Sequence, residues 1–177
     1  MDNNPENIPI AKNFTGGICK LDNIKFYQSD VYIDKWPNVD FDFAFVDCMH
    51  ALPMVVFDIY GILKKSVGKK ITIVFDDYGL DWATNAKQVK YAVDWFIKLG
   101  YLKSVKKIGH KKGTQMSESN SDSVLWDSEG LICESTDKSI DKLGNYKIKY
   151  DYKSDGTSEC IYETCDIATA FIKPIQI

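Results

Sequence analysis

Phe41-Asp42-Phe43-Ala44-Phe45-Val46-Asp47-Cys48-Met49-His50 and Ile71-Thr72-Ile73-Val74-Phe75-Asp76-Asp77-Tyr78-Gly79 are the two stretches whose reading decides the fold. Each is a short apolar run that stops at aspartate. The last four residues of Phe41–Val46 are apolar without alternation, as in a strand covered on both faces, and Ile71–Phe75 is rich in β-branched residues and short enough for a buried strand. Between them Leu52, Val55, Val56, Ile59 and Leu63 recur at helical spacing, which predicts one apolar stripe of a helix over Ala51–Lys65. Pro53 is tolerable there because it lies in the first turn, and Gly68 ends the segment. A second helix is expected from about Asn85 to Leu99, with Val89, Val93, Phe96 and Ile97 on one face and Gly100 as its C-terminal stop. Two strand-then-helix units in succession imply right-handed parallel connections, so Phe41–Tyr101 reads as a β-α-β-α run of a parallel α/β sheet.

Outward from this run the texture changes. Met1–Asn13 is polar and Pro-containing and is followed by Gly16-Gly17, so residues 1–23 read as an irregular arm; Ile24–Tyr27 is a candidate short strand. Leu102–Ile108, Ser123–Trp126 and Leu131–Glu134 read as short strands around a polar loop, Lys111–Asp122. Tyr146, Ile148, Tyr150 and Tyr152 alternate with polar residues and, after the turn residues Ser154-Asp155-Gly156-Thr157, Cys160–Thr164 completes a hairpin signal. The expected organisation is therefore an arm over 1–23, an α/β domain over 24–135 and a β extension over 136–177 packed on it.

The chain has 177 residues, 45% of them apolar, which is material for one globular core. A net charge of −3 gives no electrostatic footprint for a phosphate backbone, so nucleic acid is not the expected partner. The absence of an apolar run near the roughly 18 residues of a membrane span, and of a basic-then-apolar start, predicts a soluble, unsecreted, cytoplasmic protein with no membrane partner. Cys19, Cys48, Cys133, Cys160 and Cys165 are scattered without a zinc-like pairing, as expected of free thiols in a reducing compartment.

In open parallel sheets, ligands bind beyond the carboxyl ends of the strands. Asp47 ends the first strong strand and Asp76-Asp77 end the second, so adjacency would make three carboxylates converge. Two unit charges about 4 Å apart repel by roughly 4 kcal/mol at an effective dielectric near 20, which favours a raised pKa or a bound cation. Oxygen ligands of this kind suit Mg²⁺ or a similar divalent cation. His50 could join as a base or a hydrogen-bond partner. Each residue also has a plainer reading. Asp47 or Asp77 could be the N-cap of the next helix, His50 could bond local backbone, Tyr78 could be packing, and Trp82 a lid or a surface aromatic. The run Lys103, Lys106, Lys107, His110, Lys111 and Lys112 reads as a solvated face before it reads as an attractor of an anionic acceptor.

The segment Phe41–His50, the following amphipathic helix, the strand ending in Asp76-Asp77-Tyr78-Gly79 and a helix with Ala92-Val93-Asp94-Trp95-Phe96 together resemble the class I S-adenosylmethionine-dependent methyltransferases, in particular their small-molecule and sugar O-methyltransferases. The resemblance covers roughly Ile24–Tyr101, and Lys103–Glu134 would supply the antiparallel pair that closes such sheets. It implies a Rossmann-like methyltransferase sheet, N-terminally truncated to its C-terminal half, with a β-hairpin extension. It further implies that Asp47, Asp76 and Asp77 bind a divalent metal that orients acceptor hydroxyls, that Ser29-Asp30 contact the adenine end of S-adenosylmethionine, and that His50 and Asp47 serve catalysis beside a small-molecule acceptor.

Two departures limit it. The glycine-rich loop and its flanking strands have no counterpart, and Met49 stands where the family often has an acidic residue. Lacking the strand that neighbours it in the family, Phe41–Val46 would keep an open edge, to be covered by Ile24–Tyr27, the arm, a second copy, a partner chain or an upstream segment. Two functions are expected from this: O-methyl transfer to a hydroxylated or sugar acceptor, as part of a longer or split enzyme, or a non-catalytic methyltransferase-fold remnant acting as a binding or structural subunit. A metal enzyme of another kind is the third.

Overall fold

The computed structural model describes residues 6–13, 39–47, 50, 52–80, 88–118, 121–143, 149–152 and 158–161. In chain order the elements are α1 (Asn7–Lys12), β1 (Phe43–Val46), α2 (Leu52–Lys65), β2 (Thr72–Phe75), α3 (Gln88–Lys98), β3 (Leu102–Ile108), β4 (Gln115–Glu118), β5 (Ser121–Val124), β6 (Gly130–Ser135), a 3₁₀ turn at Ile140–Leu143, β7 (Lys149–Tyr152) and β8 (Ser158–Ile161). They divide between two compact units, Met1–Asn38 with Lys149–Cys160, and Val39–Ile148 with Ile161–Ile177.

In the first unit, α1 forms where the sequence suggested an irregular arm. Pro9 stands at its third position, where first-turn N–H groups have no partner inside a helix in any case. Strands β7 and β8 form the two-stranded sheet that the alternating tyrosines predict. The expected strand Ile24–Tyr27 lies outside the described residues.

The second unit is a mixed α/β structure on a four-stranded open sheet of order β1-β2-β6-β3. Strands β1 and β2 are parallel, with Val46 opposite Phe75, while β6 runs antiparallel to both β2 and β3. Strands β2 and β3 therefore share a direction, but β6, the last of these four strands in the sequence, lies between them. The polar loop expected over Lys111–Asp122 instead contributes β4, which pairs antiparallel with β5 as a separate hairpin.

Strand alternation sorts the sheet into two faces. Ile73, Phe75, Leu131 and Cys133 are almost completely buried and, by register, share a face with Val46. The helices supply their cover. Val55, Val56 and Ile59 of α2 and Ala92, Val93 and Phe96 of α3 are buried, and the two helices pack on each other. Met54, Tyr60 and Ile62 are buried too, so α2 is wrapped more widely than a single stripe. Gly100, at φ 77, ends α3 in the left-handed conformation that glycine adopts without strain. The Phe96 ring packs edge-to-face with Trp95 and with Tyr101, at centroid separations of 5.1 and 6.2 Å, which ties the helix end to the start of β3.

The opposite face corrects the reading of β1 as covered on both sides. Phe43 and Phe45 are 54% and 58% exposed. An unbroken apolar run signals a strand flanked on both faces only when both layers are present, and here the packed helices account for one. Among the described residues β1 pairs with β2 alone, so its outer edge carries no strand partner. None of the described helices is long and apolar enough to cross a membrane.

Candidate functional site

Because β1, β2 and β3 point the same way, their carboxyl ends gather at one end of the sheet, together with the residues that enter β6. Asp47 follows β1 directly and is half exposed. Asp76 is still part of the ladder, its N–H donating to Val46 O at 3.0 Å. Asp77 is not: its φ of 50 is the one positive value recorded for a non-glycine residue among those described, a region that aspartate enters more readily than most. The Leu80 N–H donates to Asp77 O at 3.1 Å and closes a turn over Asp77–Leu80.

This break in the backbone decides which aspartates meet. His50 Nε2 lies 3.0 Å from Asp77 Oδ2 and 3.7 Å from Asp47 Oδ1. One ligand atom from each of Asp47, His50 and Asp77 can be chosen so that all lie within 4.8 Å of one another. Asp76, which the sequence placed in the same cluster, is not in this trio. It continues the alternation of β2 beyond Phe75, whereas Asp77 has turned out of the strand. Ser29 and Asp30, read as cofactor contacts, lie outside the described residues, as do Cys48, Met49 and Trp82.

The trio has donors for a divalent ion. Two ligands held at about 2.0–2.1 Å and at right angles stand roughly 3 Å apart, which matches the separation of His50 and Asp77. The exposed Asp47 can close the remaining distance by rotation. A set with one imidazole among carboxylates is softer than the all-oxygen shell expected for Mg²⁺, and moves the preference toward Mn²⁺ and its neighbours.

Behind Asp77 stands a second group that the sequence did not reveal. Tyr78, buried, donates from its hydroxyl to Asp94 Oδ1 at 2.6 Å and accepts from Lys90 Nζ at 2.7 Å. Lys90 Nζ also lies 2.9 Å from Asp94 and 3.0 Å from Asp127, and 4.4 Å from the Tyr78 ring centre. Lys107 pairs with Asp127 at 2.5 Å. Burial and the bond to Asp94 push the Tyr78 hydroxyl well above the usual phenol range, so it stays protonated. Burial alone would raise Asp127, but hydrogen bonds from Lys107, Lys90 and the Ser128 N–H outweigh it and bring its carboxyl down to about 2. The one signal of this group that the sequence offers is the spacing of Lys90 and Asp94, one helical turn apart on α3, which was not read from the sequence as a pair. Tyr78 and Asp127 are brought there by tertiary structure.

Backbone contacts reinforce the same turn. Tyr78 N–H donates to Glu129 O at 2.8 Å, and Trp126 N–H to Gly79 O at 2.8 Å. A Cβ on Gly79 would collide with Ser128 O and would stand 2.7 Å from Asp127 C. Glu129 accepts from the His110 N–H and from its ring Nδ1, both at 2.8 Å, and these bonds lower its carboxyl below the usual range. His110 and Lys107 are exposed, as the reading of a solvated basic run expects, and also bond Glu129 and Asp127 at this end of the sheet. Cys133, by contrast, is a buried free thiol pushed up to about 12 by burial, which makes it inert.

Comparison with protein-family models, curated proteins and solved structures finds no match to this chain.

Proposed function

We propose that this chain is a methyltransferase-like protein whose Asp47, His50 and Asp77 hold a divalent cation and a small hydroxylated or sugar-like acceptor, in S-adenosylmethionine-dependent O-methyl transfer. The observation that carries the reading is the meeting of Asp47 and Asp77, from the ends of two adjacent parallel strands, on His50. The antiparallel pair β6–β3, completing the sheet beyond β2, supports the Rossmann-like methyltransferase form of the fold. The contacts of Ser29 and Asp30 with the cofactor remain an implication of the resemblance.

When bound, S-adenosylmethionine supplies an activated methyl group, and the cation lowers the pKa of the acceptor hydroxyl. The chain's own part is positioning. Asp77 and His50, the more enclosed pair, would hold the ion. Asp47 is half exposed, so one of its oxygens can face the ion while the other accepts the hydroxyl proton.

A second reading, a non-catalytic binding or structural subunit of the same fold, draws on a specific observation. β1 offers an edge without a strand partner among the described residues, beside exposed Phe43 and Phe45, as a surface met by a second copy or a partner chain would. Titration with catechol, a simple vicinal diol, separates the two. The enzyme reading expects saturable binding that needs Mn²⁺ and disappears with chelator or with Asp47→Ala. Equal, negligible heats with and without Mn²⁺ would favour the subunit.

A further inference from the structure

The charged group behind Asp77 lies just beside the trio, and its members converge on one turn. Tyr78 is the residue next to Asp77, so its side chain and the Asp77 carboxylate leave adjacent positions of the same left-handed turn. On one side Asp77 Oδ2 approaches His50; on the other the Tyr78 hydroxyl is clasped between Asp94 Oδ1 and Lys90 Nζ. Lys90 extends the clasp to Asp127, in the segment whose Trp126 N–H bonds Gly79 O and whose Glu129 O receives the Tyr78 N–H. The turn is held by its backbone at residues 78 and 79 and by its side chain at residue 78.

Partly buried charges are a poor way to gain stability, because removing them from water costs much of what their pairing returns. Well-packed apolar side chains would join α3 to the turn at least as firmly. A fully connected polar network instead fixes direction, since each bond has a preferred geometry, and direction is what a carboxylate at φ 50 requires.

We infer that Tyr78 and Lys90 are positioning residues: through Asp94 and Asp127 they hold the Asp77–Leu80 turn in the conformation that aims the Asp77 carboxylate at His50. The consequence for ligand binding rests on the proposed cation site; the control of the turn does not.

Amide hydrogen exchange and Mn²⁺ titration on the full chain test both parts. Tyr78→Phe keeps the ring and removes the hydroxyl, and Lys90→Met keeps the stem and removes the charge. The Leu80 amide, bonded to Asp77 O, reports the turn, and the Ser135 amide, bonded to Ile71 O, reports the far end of the sheet. In both variants Leu80 exchange should accelerate at least about tenfold beyond any change at Ser135, the scale of losing a hydrogen bond to a charged group. Mn²⁺ affinity should fall with it, while Lys107→Met, which touches Asp127 but not Tyr78, leaves Leu80 near its original rate. Equal acceleration at Leu80 and Ser135 would mean a merely structural network and would overturn the inference. So would a loosened turn with unchanged Mn²⁺ affinity. A loosened turn in a protein whose unaltered form binds no Mn²⁺ would leave the positioning role standing and remove the cation.

Discussion

Asp77 shows how one backbone angle selects a site. Asp76 and Asp77 look equivalent in sequence, yet Asp76 is held in the β1–β2 ladder and Asp77 turns at φ 50 toward His50. The sequence groups all three carboxylates, because they follow apolar strands, and the two that meet on His50 are Asp47 and Asp77. It could not show the turn, whose cause lies some fifty residues away along the chain, in contacts with Asp127, Ser128 and Glu129. Gly79 is the other half of that contact. Gly79→Ala should cost about 1–3 kcal/mol, measured by urea unfolding, because the methyl group has no room against the backbone at Asp127 and Ser128. Asp127 also sets a pH dependence. Its native carboxyl is lowered from 3.8 to about 2, so the native state binds this proton more weakly than the unfolded chain. Its contribution is present above the ordinary carboxylate range and is lost as pH falls through about 4 to about 2. Asp127→Asn should flatten the acid limb of stability against pH in that window; an unchanged limb would show that the ion pairs do not form.

Among the elements, those whose boundaries the sequence predicted well are those with strong local pattern. The predicted span Leu102–Ile108 is that of β3, and the two helices appear with their buried faces where periodicity placed them. What escaped were features decided by neighbours. β1 looks like a doubly covered strand because Phe43 and Phe45 are apolar, but residue type does not reveal which faces receive helices. β4 was hidden because Gln115–Glu118 contains a single apolar residue, Met116, and is recognised as a strand through its pairing with β5. The two kinds of burial predict opposite sensitivities. Phe96→Ala, at a fully buried site between α3 and the sheet, should cost about 3–5 kcal/mol. Phe45→Thr should change the stability of the isolated chain by less than about 0.5 kcal/mol, since its ring is largely in water. Chemical denaturation of both variants checks the contrast, and a large loss at Phe45 would show that its face is covered in solution.

At the largest scale, the order β1-β2-β6-β3 brings the described residues of the candidate site to one end of one sheet. The parallel pair delivers Asp47 and Asp77, α3 delivers Lys90 and Asp94, and the segment entering β6 delivers Asp127 and Glu129. The antiparallel pair expected from Lys103–Glu134 is β3 with β6, whereas the insertion of β6 between β2 and β3 is not legible in the sequence, because strand order is a long-range property. If this end of the sheet is a cation site, Mn²⁺ should bind the intact chain. Titration followed by water-proton relaxation is the most direct measurement: a single saturable site, weakened at least about tenfold by Asp47→Ala and by Asp77→Asn, is the expected result, a tenfold change corresponding to about 1.4 kcal/mol. Either no binding by the unaltered chain or binding that both substitutions leave untouched would contradict it.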